Sequence, residues 1–256
     1  MKRDLQGIIR DLHRRGGRDR RARTLAEGVR LVEEALAAGI AIDGAVVSPV
    51  LESTPRGRAL TQALAARGVL VEAVSQRDFG DLAETEHPQG VLAVIALPSW
   101  EPGQVRPGPG HPVLVLDGVQ DPGNVGTMAR TAQALGAAGL VALPGTAELA
   151  NPKVVRGAMG ALFRLPAVHL DGGSLAGWLK AAGAELWVAE AGAPPVARAK
   201  ASGPVAIAVG NEGAGVRPEV AALGRRKVGI PLAPGTESLN AAIAAAILLY
   251  EVTRAD

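Results

Sequence analysis

Val228-Gly-Ile-Pro-Leu-Ala-Pro-Gly-Thr-Glu-Ser-Leu-Asn240 runs straight into Ala241-Ala-Ile-Ala-Ala-Ala-Ile-Leu-Leu-Tyr250. The pattern predicts a strand, a proline–glycine loop and then a helix over 240–252 that is apolar nearly all round, hence buried. Ser238 is a natural cap for that helix. Two glycine-rich segments precede it: Leu116-Asp-Gly-Val-Gln-Asp-Pro-Gly-Asn-Val-Gly-Thr-Met-Ala-Arg130 and Ala208-Val-Gly-Asn-Glu-Gly-Ala-Gly215. In the first, Asp121-Pro-Gly makes a turn, Asn124 stands where it can cap a helix over 126–135, and Arg130 lies in that helix's first turns. Apolar runs of strand length at 113–117, 140–143, 186–189 and 205–209 alternate with helical patterns, including one over 174–182. This half is therefore predicted to be a parallel α/β sheet with helices on both faces. Ligands of such sheets bind beyond the carboxyl ends of the strands, where the glycine-rich loops fall.

Upstream, residues 98–112 hold five prolines and three glycines, which sustain neither helix nor central strand. They are expected to be a linker between a smaller α/β domain at 1–98 and a ligand-binding domain at 113–256. In the smaller domain, 24–39 carries Leu25, Val29, Val32 and Leu36 at helical spacing, with Gly39 as a stop. A second helical pattern spans 56–66, and strands are expected at 42–48, 69–74 and 91–97.

Composition narrows the chemistry. The chain has 256 residues, enough for two domains with real cores. Without a single cysteine it has no disulfide, thiolate metal site or cysteine nucleophile, and its four histidines are scattered, so no metal site is expected. No apolar run is long enough to span a membrane, and the amino end lacks the apolar stretch of a signal peptide, which points to the cytoplasm. Aromatic residues make up only 2%, so any nucleic acid is held by charge and backbone rather than by rows of stacking rings. The net charge of +2 conceals a basic arm: ten lysines and arginines against four acidic residues between Lys2 and Arg30. Such an arm suits phosphate, or is simply a solvated leader.

The glycine loops do not fit the common cofactor patterns. Gly210-Asn-Glu-Gly-Ala-Gly215 has the order G-x-x-G-x-G rather than G-x-G-x-x-G, and neither a Walker loop nor a G-x-S-x-G elbow occurs. What the chain does resemble is the SpoU/TrmH family of RNA ribose 2′-O-methyltransferases, part of the SPOUT superfamily. The resemblance rests on Asn124 with Arg130 six residues on, Gly210-Asn-Glu-Gly-x-Gly215, and Ile230-Pro-Leu232 with Ser238-Leu-Asn240. It extends to Glu27-Gly-Val-Arg-Leu-Val-Glu-Glu-Ala-Leu36 and Glu86-His-Pro-Gln-Gly-Val91, which look like parts of that family's small, ribosomal-protein-like substrate-binding domain.

The resemblance implies a deep trefoil knot in the second domain, with the third motif's loop and the final helix as the threaded part. It implies S-adenosylmethionine as cofactor, held by Gly210, Ile230, Leu232, Ser238 and Leu239, and no metal. Arg130 matches the catalytic arginine, with Asn124, Glu212 and Asn240 beside it. A guanidinium is a poor bare base, so an electrostatic or positioning role suits Arg130 better. Arg14, Arg15 and Arg23 of the arm, with Lys153 and Arg156, are the expected RNA contacts. Where the family pattern has a serine after that last segment's arginine, this chain has Ala158. Ribosomal RNA is the expected substrate, with tRNA as the alternative. A homodimer formed through the carboxyl-terminal domain is expected as well, since alanine on every face of the final helix suits packing on two sides. A non-catalytic RNA-binding scaffold has no need of Arg130 and the glycine loops, and a nicotinamide enzyme would place its glycine pattern elsewhere.

Overall fold

A computed structural model describes residues 4–14, 16–18, 23–201 and 203–254. It divides into two compact units, one of residues up to Pro98 together with Ala150–Phe163, the other of Ser99–Leu149 with the residues from Arg164 onward.

The first unit is built on a four-stranded sheet. Its elements are α1 (Leu5–Leu12), β1 (Thr24–Glu27), α2 (Val29–Ala37), β2 (Ile42–Val47), α3 (Pro55–Ala66), β3 (Val71–Ala73) and β4 (Val91–Ile95). The strand order is β1-β4-β2-β3, with β4 antiparallel to both neighbours and β2 parallel to β3. Leu5, Ile9 and Leu12 recur on one face of α1 and close the core with Leu25, Val46, Phe79 and Leu92. The stretch 24–39 is not one helix, as its periodicity suggests. Thr24–Glu27 is a fully buried strand paired with Leu92–Ile95, and Gly28, at φ 103°, turns the chain into α2. Pairing to β4 gives this edge strand its backbone partners while all four side chains stay buried.

The second unit continues with β5 (Val113–Asp117), α4 (Pro122–Ala134) and β6 (Gly139–Ala142). Helix α5 (Pro152–Ala158), in the sequence between β6 and β7, belongs to the first unit, where it packs on β1. The second unit resumes with β7 (Ala167–His169), α6 (Gly172–Ala182), β8 (Glu185–Ala189), β9 (Val205–Gly210), β10 (Arg226–Val228) and α7 (Ala241–Thr253). All six strands are parallel, in the order β10-β8-β9-β5-β6-β7. β5 and β9 lie at the centre, buried along their whole length, as continuous apolar runs in parallel sheets are.

Residues 99–112 do not hang free as a linker. Val105 is buried in the second core, Trp178 donates its indole N–H to the Pro102 carbonyl at 3.2 Å, and Glu101 and Gln104 form a capping box. Pro102 opens a single 3-10 turn that ends at Val105 and carries it inward, and burying a valine contributes about 1.5–3 kcal/mol.

Helix α4 begins at Pro122, four residues earlier than expected. Its cap is Asp121, whose carboxylate accepts from the Asn124 N–H at 2.7 Å, so Asn124 is free of the capping task. Helix α7 is capped by Asn240, which accepts from the Ala242 and Ile243 N–H groups, and not by Ser238. In both cases the capping carboxylate or amide stands immediately before the first helical residue, where its oxygen reaches the free N–H groups of the first turn.

Candidate functional site

The carboxyl ends of β8, β9 and β10 open onto a cavity of about 250 Å³. The order of strands places it beside the switch point, where β5 leads to β6 on one side while β9 lies on the other. Gly210, Ile230, Leu232, Ser238 and Leu239 all line it, together with Glu212 and, from α7, Ala241, Ala244 and Leu248. The five residues expected to hold a cofactor therefore line one cavity.

Local chemistry explains the loop after β9. Asn211 and Gly215 exchange backbone hydrogen bonds at 3.0 and 2.9 Å, folding the loop back onto Gly210. A Cβ at position 210 would lie 2.0 Å from the Gly215 carbonyl carbon, so only glycine fits. The Asn211 side chain braces the same loop, accepting from the Gly213 and Ala214 N–H groups and donating to the Gly118 carbonyl at 3.0 Å.

A continuous polar chain runs along the cavity's edge. Asn240 donates its amide N–H to Asn124 Oδ1 at 3.0 Å, and Asn124 donates to Glu212 Oε1 at 3.0 Å. Glu212 also accepts from the backbone N–H groups of Gln120 and Asp121, each at 3.3 Å. Partial burial pushes the Glu212 carboxyl upward, but the Asn124 amide and these backbone donors outweigh it and hold the group below the ordinary glutamate range. Glu212 is thus a fixed anion that orients Asn124, and its oxygens are poorly disposed to take a proton.

Arg130 stands apart from this chain, about two turns further along α4 and on the helix's exposed face with Gly123 and Thr127. Its guanidinium makes no ion pair among the described residues. Unpaired and solvated, it keeps its charge and all its donors for a ligand.

Three residues of this site were not anticipated from the sequence. Besides Asn211, they are Asp117 and Arg217. Asp117, at the end of β5, is fully buried, and it accepts from the Arg217 N–H and from Arg217 Nε, both at 2.7 Å. The pair ties the loop after β9 to the end of β5, and the carboxylate raises the Arg217 guanidinium pKa above its usual range. Its one sequence signal is a carboxylate closing the apolar run Val113-Leu-Val-Leu116, since a buried charge needs a partner.

The expected RNA contacts belong to the first unit. Arg14 and Lys153 are exposed, and Arg23 pairs with Asp43 at 2.8 Å. Arg156 reaches Glu27 at 3.4 Å within the first unit, and Arg15 lies outside the described residues.

The cavity suits an adenosyl ligand. Between Ile230 and Leu239 the one backbone hydrogen bond among the described residues joins Thr236 N–H to the Ala233 carbonyl. The backbone groups of Ile230 and Leu232 thus stand ready for an outside partner, between apolar walls.

Residues 111–250 match the SpoU rRNA Methylase family, and residues 8–93 match the MRM3-like substrate binding domain. The chain belongs to the SpoU rRNA methylase family. It is 36% identical over 242 residues to the 23S rRNA (guanosine(2553)-2′-O)-methyltransferase RlmP of Bacillus subtilis, covering 94% of this chain and 92% of that one. An AdoMet-bound rRNA methyltransferase from Sinorhizobium meliloti superposes with a TM-score of 0.87 at 30% identity, over 99% of this chain and 95% of that one. The SpoU methyltransferase AviRb from Streptomyces viridochromogenes, solved with AdoMet, gives 0.86 at 29% identity, over 99% and 98%. Both the α/β class and the parallel sheet are thereby those of this family. No helix among the described residues is long and apolar enough to cross a membrane.

Proposed function

We propose that this protein is an S-adenosylmethionine-dependent methyltransferase acting on a ribose 2′-hydroxyl of ribosomal RNA. The observation that carries this reading is the cavity lined by Gly210, Ile230, Leu232, Ser238 and Leu239 beside the Asn240–Asn124–Glu212 chain. Relatives named as 23S rRNA 2′-O-methyltransferases favour ribosomal RNA over tRNA.

The backbone of Ile230 and Leu232 would hold the cofactor, with Leu239 and Leu248 covering its apolar parts. When bound, it supplies a methyl group on a positively charged sulfur, which an alcohol oxygen displaces in line. The protein's own task is to orient that alcohol and ease passage of its proton to solvent. Asn124, held from both sides, is a rigid donor and acceptor for the ribose. Arg130 contributes charge: a permanent cation stabilises the developing alkoxide and a neighbouring RNA phosphate without giving up a proton.

The same proposal includes the trefoil knot through the third motif, a cytoplasmic location, and a homodimer. The dimer reading draws on Ile243 and Tyr250, both about half exposed on α7, whose Ala241, Ala242, Ala245, Leu248 and Leu249 are buried. Light scattering should give twice the 26.0 kDa chain mass, and a monomer with full activity would refute it.

Calorimetric titration should show binding of S-adenosylmethionine and none of NAD. Mapping 2′-O-methyl sites in total RNA with and without the gene should then show one ribosomal site lost. An unchanged map would defeat the activity.

A further inference from the structure

The first unit holds a second cavity, of about 350 Å³, bounded by Gly28, Arg30, Arg56, His87, Gln89 and Arg156. Three arginines line it with one carboxylate, Glu27; Arg56 is also paired with Glu33, and Arg156 lies 3.9 Å from Glu84. Glu27 itself is fully engaged. It is buried and accepts from the Glu84 and Thr85 N–H groups, from the Thr85 hydroxyl and from Arg156 Nη1.

The cationic groups retain free donors. Arg30 is exposed and makes no ion pair among the described residues. Arg56 grips Glu33 with Nε at 2.9 Å and Nη2 at 2.5 Å, which leaves Nη1 without a protein acceptor. The amino end of α2 opens into the same space. Its cap is Gly28, the Val29 N–H donates to Gln89 Oε1 at 2.9 Å, and its first turn contains no acidic residue. The helix dipole therefore adds to the positive potential instead of being neutralised. Apart from Gly28, Leu31 and Met159 the lining residues are polar, and the ring among them is the His87 imidazole.

We propose that this cavity is a phosphodiester site, taking one backbone phosphate of the RNA. Guanidinium forks and a helix amino end without an acidic residue recognise a tetrahedral oxyanion, and a backbone phosphate contact is one of position and not of sequence. The site would hold the strand in register while the target ribose enters the cleft of the second unit. That last role rests on the proposed activity; the phosphate contact does not.

The test is binding of a fluorescein-labelled oligouridylate to the full chain, by anisotropy across a salt series. Arg30→Ala should weaken binding about five- to tenfold and flatten the slope of log affinity against log salt by about 0.7, the value of one single-strand phosphate contact. Arg30→Glu should weaken it further. Arg67→Ala removes the same charge from the exposed end of α3 and should change affinity by less than about twofold. Affinity for S-adenosylmethionine should be the same in all three variants and in the parent. Equal losses in Arg30→Ala and Arg67→Ala would mean diffuse attraction only and overturn the site, as would an Arg30→Ala variant or a parent protein showing no such contact. Oligouridylate binding through Arg30 in a protein that methylates no ribosomal RNA would instead sink the activity and leave the phosphate site standing.

Discussion

The cleft of the second unit and the arginine-lined cavity of the first are assembled in opposite ways. In the cleft, each contributing loop is a continuous run following a strand and carries its own local signature of glycines, although the hydrogen bonds that join the loops span 88 to 116 residues. The arginine cavity joins Glu27 to Arg156, 129 residues apart, and neither residue's surroundings in sequence announce the other. The cleft also fixes its carboxylates with partners chosen for each, neutral donors for Glu212 and a guanidinium for Asp117. The cavity leaves cations over. One place is organised to orient a reaction, the other to attract an anion.

Removing Arg130 should produce the largest effect. Arg130→Ala is expected to lower methylation by about a thousandfold while changing S-adenosylmethionine affinity only a few-fold. Arg130→Lys should also fail if the planar fork matters. Single-turnover assays beside calorimetry would show it, and normal turnover in either variant would take Arg130 out of the mechanism.

The comparison between ion pairs gives the next effect. Arg217→Ala strands the Asp117 carboxylate in the core and should cost about 3 kcal/mol, the lower end for buried pairs because Arg217 is 36% exposed. Arg23→Ala, which breaks the half-buried pair with Asp43, should cost about 0–1 kcal/mol. Urea melts of the two variants would measure the gap, and equal costs would show that burial of Asp117 does not govern this pair.

The smallest effect is an acid dependence. Because the Glu212 carboxyl is held below its unfolded value of about 4.3, its contribution is present above that pH and lost as pH falls through the lower, folded value. Thermal melts between neutral pH and pH 3 should show a decline that Glu212→Gln reduces. An identical acid profile in that variant would mean that other carboxylates account for the loss.

These contrasts follow how much could be read from the chain itself. The parallel sheet, its glycine loops and the apolar last helix were legible because buried strands and tight turns have local signatures. β1 was not, since Leu25, Val29 and Val32 also fit a helical spacing and only pairing with β4 decides the matter. The proline-rich stretch looked like a linker because proline excludes regular structure, yet irregular backbone packs well when a Val105 is carried inward. The Asn124–Glu212–Asn240 connection was legible as a set of residues but not as hydrogen bonds, and the assignments of Asn124 and Ser238 as caps were off by a few residues. Asp117 and Arg217, 100 residues apart, needed the structure.

The interruption of the first unit has a consequence for how the protein is born. Helix α5 leaves the ribosome only after β5, α4 and β6, so Glu27 waits for Arg156 while 129 residues are added. At typical translation rates of about 5–20 residues per second that delay is roughly 6–26 seconds, far longer than a small α/β domain needs to fold. For that interval β1 is without the helix that packs on it. A nascent chain arrested before residue 150 should accordingly present a protease-sensitive amino-terminal half, and release past Phe163 should protect it.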